Sequence, residues 1–589
     1  METRRWGEGC ELSAAFETLS TDPNAGICRR EERTLNTLGA GKATALKSTE
    51  VRMANPTQAI DAEVIVVGAG PTGLLLANFL GKAGVKTIVL ERNSSTVREP
   101  RAVSIDDEAL RAMQWLGLEE ELIATLSLDY GSHYFDRRGV RFATIEPSET
   151  EHGYPKRNAF EQIKLEQILL HGVKRFPVAA VHFESEVTGF RQADDRVTLH
   201  VLSKLHDTHQ VLSARWVVGC DGGRSTLRSL LNVDLVGNTY AEKWLIVDLD
   251  TTLDKFRQSR VICDAHRPCI TLPGPNGIRR YEFMINATER EVDVVDESRV
   301  RELLASVGPD ERADIRRIRS YTFHARVAAR WRDGRILLAG DAAHLSPPFA
   351  GQGLNSGLRD AVNLGWKLPG LVFNRFATKL LDTYETERKP HVIAMNNLSL
   401  RMGEILMSKN RLRAALTPWF FRALSLFPKA RDYVQQMRYR PRPRFEKGFL
   451  VTKGKIGCEV LGRQFPQPRV ELPDRRYVLL DHLLGDGFAI IALSSRPAEC
   501  FHRLALPLAI VRLECTRTVI VPRQYTASDH ALFQTCRDAD GALAAHYGEL
   551  DSCYLLVRPD KYIAAIVRID DPETWHRVAE HFLRFAVAN

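Results

Sequence analysis

The sequence predicts an α/β protein in which a Rossmann-like nucleotide-binding domain is interrupted by a mostly antiparallel sheet. Two glycine-rich junctions between a strand and a helix, near residues 70 and 350, predict the nucleotide domain. Between them, the region from Trp244 to Tyr321 alternates apolar and polar residues, which is typical of antiparallel strands. The sheet is therefore expected between two parts of one nucleotide domain.

The first junction combines an apolar strand, Glu63 to Val67, with a Gly-x-Gly-x-x-Gly turn that opens a helix. The first glycine allows the tight turn, the second lets the backbone approach a pyrophosphate, and the third lets the helix pack on the strand. The helix N-terminus offers free N–H groups and a positive dipole end to phosphates. The predicted phosphate-site residues are Gly68, Gly70, Pro71, Thr72 and Gly73.

A second apolar strand, Lys86 to Leu90, ends at Glu91 and Arg92. An acid about twenty residues after the glycines accepts hydrogen bonds from an adenosine ribose, and its charge would repel a 2′-phosphate. We include Arg92 in the same predicted site. A glycine turn alone occurs in many folds, but strand, glycines, helix, strand and acid together predict that an ADP moiety binds here.

Three residues between the junctions are candidates for the same site. Arg101 follows a proline and would place its guanidinium near a cofactor ring or its phosphates, although an ordinary surface arginine fits equally. Gln162 lies on a predicted helix, and an amide can pair with a ring edge as donor and acceptor; a solvent-facing position is the alternative. Asp221 follows an apolar strand in an Asp-Gly turn, which alone favours a hairpin or loop.

The second junction consists of the strand Gly334 to Leu338, a Gly-Asp pair, a proline-bounded loop and a glycine-rich segment that opens a helix. That helix is expected to run to about Lys367, where Pro369 should end or kink it. A second helix N-terminus suits a second electron-rich group. The predicted ligand residues here are Gly340, Asp341, Pro348, Gly351, Gly353, Leu354 and Asn355.

Composition excludes several classes of function. The chain has 589 residues, with 44% hydrophobic and 26% charged residues, which is typical of a globular protein. The formal charge of +8 is small and no nucleic-acid motif accompanies it, so we expect no nucleic-acid partner. No apolar run approaches the length that crosses a bilayer, so no membrane partner is expected.

The ten cysteines are dispersed, without a C-x-x-C pair or a Cys/His cluster at metal-ligand spacing. We therefore expect no metal site, and thiols in a reducing cytoplasm. Residues 1–58 lack sustained periodicity and are predicted to be a disordered extension. Our hypothesis is that the first fifty-odd residues are a dispensable extension or an over-extended start, and that the functional chain begins at Met53.

Together these segments resemble the single-component flavoprotein aromatic hydroxylases, the p-hydroxybenzoate hydroxylase fold group. Three motifs carry the resemblance in the expected order: Gly68 to Gly73 with Glu91, Cys220 to Ser225, and Gly340 to His344. The resemblance implies that Gly68, Gly70, Gly73, Glu91, Arg101, Gln162 and Asp341 contact FAD. It also implies that Asp221 lies in a motif used for both FAD and the reduced nicotinamide.

Within this group, the chain resembles the hydroxylases of 3-(3-hydroxyphenyl)propionate and 3-hydroxycinnamate. This resemblance is carried by Pro100 to Ala102, Arg157 to Phe160, Arg279 to Met284 and Gly351 to Gly357. The loop Ser346 to Ala350 departs from the bulkier Trp-Gln pattern of the bacterial forms, which leaves another phenol, of the resorcinol type or a polyketide, as an alternative substrate. A more remote alternative is an NAD-binding dehydrogenase.

The resemblance implies that NADH reduces FAD, that the flavin then activates O2, and that a phenolic acid is hydroxylated to a 2,3-dihydroxy product in aromatic catabolism. Phe349 and its neighbouring prolines would exclude water, or form an ordinary rigid loop. Candidates for the catalytic residue are His324, Tyr281 and Pro347. A substrate carboxylate would require an arginine, for which Arg279 and Arg280 are candidates, with solvent-facing positions as the alternative.

The predicted boundaries are 59–245 and 326–400 for the two parts of the FAD-binding domain, 246–325 for the substrate-domain sheet, 401–455 for a helical connector and 456–589 for a C-terminal domain. The resemblance implies that this last domain is thioredoxin-like. Because it lacks C-x-x-C, we expect it to serve packing or a homo-oligomer contact rather than redox chemistry.

Overall fold

The computed structural model describes residues 59–587, except 98, 100, 407, 409, 452–456, 458, 496, 498–499, 502–503, 505, 548–549 and 551–552. The predicted extension 1–58 and the hypothetical start at Met53 lie outside the described residues.

The strands are β1 Ala62–Val67, β2 Thr87–Leu90, β3 Ser104–Ile105, β4 Ser132–Asp136, β5 Arg141–Ile145, β6 Asn158–Ala159, β7 Ala179–His182, β8 Ser185–Gln192, β9 Val197–Ser203, β10 Thr208–Gly219, β11 Leu235–Leu249, β12 Ser259–Cys263, β13 Cys269–Pro273, β14 Arg279–Met284, β15 Ile315–Ala328, β16 Arg332–Asp333, β17 Ile336–Leu338, β18 His344–Leu345, β19 Arg469–Glu471, β20 Tyr477–Leu479, β21 Ala489–Leu493, β22 Thr516–Val521, β23 Gln534–Arg537, β24 Cys553–Val557 and β25 Ile563–Arg568. The helices are α1 Pro71–Lys82, α2 Asp107–Trp115, α3 Glu119–Ile123, α4 Gln162–Lys174, α5 Thr226–Leu230, α6 Glu291–Val294, α7 Glu297–Val307, α8 Gly353–Val372, α9 Asp382–Leu406, α10 Arg411–Ser425, α11 Pro428–Gln435, α12 Asp481–Leu484, α13 Leu508–Val511, α14 Ala542–Tyr547 and α15 Pro572–Leu583.

The first sheet brings both predicted junctions together. Its parallel core has the order β17-β10-β1-β2-β7, and β16 adds an antiparallel edge. Strand β1 is almost entirely buried, as expected for an apolar central strand covered on both faces. Helix α1 packs against α4 and α8. Since β1 and β17 both flank β10, the junctions that follow them open at the same sheet edge.

The second sheet is mostly antiparallel, with the order β18-β15-β11-β14-β13-β12-β4-β5, and only the β12–β4 pair is parallel. Strand β11 runs from Leu235 to Leu249 and therefore crosses the predicted boundary at residue 246. The sheet also includes β4 and β5, from before that boundary. Their recruitment depends on pairing between β4 and β12, which are distant in sequence.

The two faces of this second sheet have different surroundings. On one face, Leu245, Tyr281 and Phe283 pack with residues of α7. Because strand side chains alternate between faces, Trp244 and Met284 point the other way, where they form a cluster with Phe323 and the partly buried Phe349. Phe349 belongs to the 3-10 turn Pro348–Ala350, so this face meets the loop of the second junction.

The third sheet has the order β20-β19-β23-β22-β21-β24-β25. Strands β21, β22 and β23 are parallel, whereas β24 pairs antiparallel to both β21 and β25. Two buried ion pairs join this part to the rest of the chain: Arg111 with Asp481 and Arg558 with Glu387, each at 2.7 Å. The thioredoxin-like assignment of this domain stays a prediction.

Helix α8 is longer than expected. It continues to Val372 with Pro369 inside its last turn, so the predicted end near Lys367 is wrong. A proline this close to the C-terminus interrupts one hydrogen bond only shortly before the helix ends. The connector helices α10 and α11 fall within 401–455, but α9 crosses the predicted boundary at residue 400. Among the described residues, no helix is long and apolar enough to span a membrane.

Candidate active site

One elongated cavity joins the two junctions. Its lining includes Gly68 and Thr72 from the first junction, Asp341 and Leu354 from the second, and Gln162 between them. Twelve of the predicted ligand residues line it: Gly68, Gly70, Pro71, Thr72, Glu91, Arg92, Arg101, Gln162, Asp221, Asp341, Gly353 and Leu354. Residues predicted from two motifs that are far apart in the chain therefore line one cavity.

The other five predicted ligand residues lie behind the lining. Gly73 packs tightly on the backbone of Gly68, Gly340 packs on the side chain of Thr72, and Asn355 uses its amide to hold nearby backbone. Pro348 and Gly351 belong to the turn that leads into α8. Their positions indicate that they shape the cavity wall from outside it.

Two helix N-termini face the cavity. Helix α1 starts at Pro71 after Gly70, and α8 starts at Gly353 after Gln352; neither has a side chain that caps its first turn. The first N–H groups of each helix are therefore available to a ligand, and both dipoles favour negative charge. A phosphate-bearing cofactor with an electron-rich ring fits such a pair.

The glycines of the first junction have separate physical roles. Gly68 has φ of +108°, and a Cβ there would overlap the backbone of Cys220. A Cβ on Gly73 would overlap the carbonyl oxygen of Gly68, so this glycine permits close packing of α1. A Cβ added to Gly70 would meet no atom within 4 Å, because the residue faces open cavity. The open space beside Gly70 is where a ligand phosphate would approach.

Glu91 supports the first junction directly. Its Oε2 accepts a hydrogen bond from the Ala69 N–H at 2.9 Å, and its Oε1 accepts bonds from Asn93, at 2.9 Å from the backbone and 2.6 Å from the side-chain amide. The carboxylate therefore fixes the glycine turn while it lines the cavity. The glycine turn and Glu91 are therefore joined by a hydrogen bond into one structural unit.

Gln162 is buried, so the alternative of a solvent-facing position is wrong. Its Oε1 accepts hydrogen bonds from the backbone N–H groups of Arg101 and Ala102, at 2.9 and 3.0 Å. Its Nε2 donates to Glu166 at 2.9 Å. Gln162 therefore holds the segment that carries Arg101 against the cavity. Arg101 itself is exposed, yet its side chain belongs to the lining.

Glu166 was not predicted from the sequence. Burial raises its pKa to about 7, although hydrogen bonds from Gln162 and from the Val97 N–H act in the opposite direction. Its position one helical turn after Gln162 is the only sequence signal that could have found it. The lining also includes Ser185 to Val187 of β8, for which no motif exists.

Asp221 and Asp341 present carboxylate oxygens to the cavity. Asp221 Oδ2 accepts a hydrogen bond from the Leu227 N–H at 3.1 Å at the start of α5, but its Oδ1 is buried without a partner among the described residues. The hairpin interpretation of this turn is wrong, because β10 pairs in parallel with β1 and β17. Burial raises the pKa of Asp341, whose side chain likewise has no hydrogen-bond partner within the described chain.

The second junction is held by buried charges. Asp360 of α8 accepts a hydrogen bond from the Gly340 N–H at 3.1 Å, lies 2.7 Å from His344 Nε2, and pairs with Arg388 Nε at 3.0 Å. Burial alone would raise the pKa of Asp360, but His344 and Arg388 outweigh it and the pKa is lowered. His344 is thus committed to this structural network.

A second ionic group lies on the neighbouring residue of α8. Arg359 pairs with Asp106 and Glu108, at 2.5 and 2.7 Å, and Asp106 also pairs with Arg440 at 2.7 Å. Asp106 is the N-cap of α2, where it accepts a hydrogen bond from the Ala109 N–H at 3.1 Å. These pairs connect the start of α8 to α2 and to the connector region.

The three candidate catalytic residues do not line the cavity. Tyr281 is fully buried on the α7 face of the second sheet, and its hydroxyl donates to Asp310 at 2.8 Å. His324 lies on β15 with Nδ1 3.0 Å from Thr239 Oγ1, and burial lowers its pKa. Pro347 precedes the 3-10 turn that contains Phe349. Tyr281 is therefore a core residue, since the strand alternation places it on the face opposite the aromatic residues Trp244, Met284 and Phe323.

Arg279 and Arg280 are both buried, so their solvent-facing alternative is wrong. Arg279 lies 3.5 Å from Asp254, and Arg280 is bound by Asp248 at 2.6 Å. Each guanidinium thus already has a carboxylate. Arg280 Nη1 also donates to the carbonyl of Arg101, at 2.5 Å, which joins β14 to the cavity wall.

Glu282 lies between Arg280 and Met284 on the same face of β14. It is 4% exposed and accepts no side-chain hydrogen bond from the described residues; the nearest cation, Arg280, is 4.0 Å away. Burial raises the pKa of Glu282 to about 7, with Arg280 opposing and Asp248 adding to the rise. Glu282 was not predicted from the sequence because only the pairing of the strands shows that its carboxyl is enclosed.

On the same sheet face as Glu282, the aromatic rings of Trp244 and Phe323 pack against Phe349 of the second-junction loop. The ring centroids of Trp244 and Phe349 are 5.7 Å apart, those of Phe323 and Phe349 are 5.8 Å apart, and those of Trp244 and Phe323 are 5.9 Å apart. We call Trp244, Met284, Phe323 and Phe349 the aromatic cluster. It offers an apolar surface beside the start of α8.

The cavity fits FAD. Its two open helix N-termini suit a pyrophosphate and an electron-rich ring, the space at Gly70 admits a close ligand, and the unpartnered Oδ1 of Asp221 and the cavity-lining carboxyl of Asp341 suit ribose or ribityl hydroxyl groups. Residues 61–399 match the family described as FAD binding domain, and residues 462–582 match the HcaD C-terminal domain. The chain belongs to the FAD-dependent aromatic hydroxylases and is an enzyme of the monooxygenase type.

Named relatives place it further within this class. The chain is 36% identical over 508 residues to the 3-(3-hydroxy-phenyl)propionate/3-hydroxycinnamic acid hydroxylase of Escherichia coli strain K12, covering 85% of this chain and 91% of the relative. The Klebsiella pneumoniae hydroxylase of the same name is 36% identical over 510 residues, covering 86% and 92%. The family resemblance drawn from the motifs is confirmed.

Solved structures share the fold. A ternary complex of aklavinone-11 hydroxylase with FAD and aklavinone superposes with a TM-score of 0.72 at 22% identity, covering 90% of this chain and all of that chain (100%). The OxyS anhydrotetracycline hydroxylase of Streptomyces rimosus gives a TM-score of 0.68 at 26% identity, covering 88% and 98%. The predicted α/β fold with an inserted sheet is confirmed.

Proposed function

We propose that this enzyme hydroxylates 3-(3-hydroxyphenyl)propionate or 3-hydroxycinnamate to the 2,3-dihydroxy acid, with NADH and O2 as co-substrates. The proposal is supported by the relatives of that name and by the aromatic cluster, which can hold a substrate ring beside the start of α8. Bound FAD supplies electron transfer from the nicotinamide and activation of dioxygen.

We propose that the cavity residues named above hold the FAD. Gly70 and the start of α1 bind the pyrophosphate, Glu91 binds the adenosine ribose, and the start of α8 stabilises negative charge on the flavin ring. The observation that carries this assignment is the single cavity that both helix N-termini face. Glu91 also favours an unphosphorylated ribose at that position, because a 2′-phosphate would be repelled.

The aromatic cluster has two roles in this proposal. Its rings offer edges and faces that orient a phenol, and they exclude water from the reacting centre. Trp244 and Met284 come from the inserted sheet, whereas Phe349 comes from the second junction. Substrate is therefore held where the inserted sheet packs against the loop of the second junction.

The test is purification of the full-length protein followed by a substrate panel. Flavin absorbance near about 450 nm, expected for bound oxidised FAD, separates a flavoprotein from a dehydrogenase. NADH oxidation is then followed with the two hydroxyphenyl acids, resorcinol and a neutral alkylphenol, and products are identified by mass spectrometry. Dihydroxy acid formed from the hydroxyphenyl acids supports the proposal. Turnover of resorcinol or alkylphenol alone contradicts it.

A further inference from the structure

Arg157 lies beside the face of the second sheet that carries the aromatic cluster. Its guanidinium donates to Ser132 Oγ and, at 3.3 Å, to the hydroxyl of Tyr130, and it lies 4.5 Å from the centroid of the Tyr130 ring. Ser132 and Tyr134 alternate with His133 on β4, so both point to this face. Arg157 is thus held in place by neutral groups.

The charge of Arg157 is not matched by an anion. Within the described part of the chain it forms no ion pair, whereas the neighbouring Lys156 binds Glu149 at 2.8 Å and Arg440 binds Asp106 at 2.7 Å. A partly buried guanidinium that contacts only hydroxyls and a ring retains unused hydrogen-bonding capacity for an anion.

A second unsatisfied group lies close by. The hydroxyl of Tyr439 is buried without a hydrogen-bond partner among the described residues. Burial raises the pKa of Tyr439 to about 12, against the effect of Arg157 and Arg440, so the hydroxyl keeps its proton and is available as a donor. Tyr439 and Phe349 pack on the same group of apolar residues, which includes Tyr134. The apolar surface therefore runs from Phe349 to the surroundings of Arg157.

We propose that Arg157 and Tyr439 form the subsite that binds the side-chain carboxylate of the substrate. A carboxylate would accept bonds from the guanidinium and from the Tyr439 hydroxyl, while the aromatic ring lies against the surface shared with Phe349. Arg279 and Arg280 are committed to Asp254 and Asp248, so they do not compete for this role. The subsite rests on the proposed function and deepens it, because it selects phenolic acids over neutral phenols.

The kinetic test compares two substrates of similar shape, 3-(3-hydroxyphenyl)propionate and the uncharged 3-propylphenol, on the FAD-loaded full chain. For Arg157→Gln we expect kcat/KM for the acid to fall about a hundredfold, with at most about a threefold change for 3-propylphenol, because only the acid loses a charged hydrogen bond. Arg157→Lys should retain part of the preference for the acid over 3-propylphenol, and Tyr439→Phe should lower that preference about fivefold. Arg438→Gln, which removes a nearby cation that already pairs with Glu149, is the matched control.

Binding is measured separately by calorimetry with 3-phenylpropionate, which has the carboxylate but lacks the phenol hydroxyl that activates the ring for hydroxylation. Wild type and Arg438→Gln should bind it, and Arg157→Gln should not bind measurably. Equal affinity and an unchanged acid preference in Arg157→Gln overturn the subsite. If wild type binds 3-phenylpropionate through Arg157 but hydroxylates no phenolic acid, the proposed function fails while the subsite stands. Should Arg157→Gln fail to fold, the subsite is tested with Arg157→Lys and Tyr439→Phe instead. Both variants are compared with wild type by the same kinetic ratio and the same calorimetric titration.

Discussion

The two ends of the cofactor cavity are built by different means. At the Gly70 end, glycine geometry and one carboxylate, Glu91, shape the turn before α1. At the Gly353 end, buried charges position the start of α8, with Asp360 holding Gly340, His344 and Arg388. Both ends present an open helix N-terminus to the same space. An open helix N-terminus can therefore be positioned either by tight backbone packing or by long-range ionic contacts.

This difference determines which substitutions each end of the cavity tolerates. A tight backbone contact is disrupted when a side-chain atom is added, because the neighbouring carbonyl cannot move aside. A buried ionic group fails when one charge is removed, since the remaining charges lose their partners in a poorly solvated site. Substitutions at the two ends should therefore differ in size and in whether they affect folding or cofactor binding.

The largest effect is expected at the Gly353 end, from Asp360→Asn. This change leaves Arg388 and His344 without their buried anion, and we expect the free energy of unfolding to fall by about 3–5 kcal/mol. Urea denaturation followed by circular dichroism measures it. The control is Asp382→Asn, which removes an exposed partner of Arg332 and should have little effect. Equal stability of the two variants would show that the ionic group does not support this end.

A pH effect is expected at the same end from Glu282, whose burial raises its pKa from 4.5 to about 7. Below pH 4.5 both the folded and the unfolded chain hold the proton; as the pH rises toward 7, the unfolded chain loses it first. The folded state therefore loses stability between about pH 4.5 and 7, by about 3 kcal/mol at most. Unfolding free energies at pH 5 and pH 8 should show this loss in wild type and a smaller one in Glu282→Gln, which cannot ionise.

Glu302→Gln, at an exposed carboxylate of α7, is the control for that measurement and should keep the wild-type pH dependence. If Glu282→Gln keeps it too, the carboxyl of Glu282 is already ionised in the folded protein. In that case the sheet face at this end is better solvated than its enclosure implies.

The contrast between the ends also explains what the sequence could predict. The Gly70 end was predicted almost residue by residue because its motif is local: Gly68, Gly73 and Glu91 lie within one strand-helix-strand unit. The Asp360 group was not predicted, since nothing in a single sequence links Gly340 to Arg388. Glu282 was missed for the same reason, and Tyr281 was misassigned because alternation identifies two faces of a strand but not which one carries the aromatic cluster.

At the Gly70 end, two glycine substitutions should separate folding from binding. A Cβ at Gly73 would overlap the Gly68 carbonyl, so Gly73→Ala should lower the free energy of unfolding by about 1–3 kcal/mol. Gly70→Ala has free space in the protein, so it should fold normally but bind FAD more weakly, because the methyl group enters the ligand's space. Chemical denaturation and the FAD content of purified protein measure the two effects. Equal loss of stability in both variants would contradict the assignment of Gly70 to the ligand.

The smallest effect is expected from Glu91→Gln. The amide keeps one acceptor oxygen but loses the charge that binds the Ala69 N–H and would bind a ribose, so we expect FAD affinity to fall about tenfold with little change in folding. Fluorescence titration of the apoprotein with FAD gives the affinity, and Glu63→Gln, on β1 and outside the cavity lining, serves as the control. A stability loss as large as that of Gly73→Ala would mean that Glu91 supports the turn more than the ligand. The Gly70 end would then depend on a buried charge as strongly as the Gly353 end does.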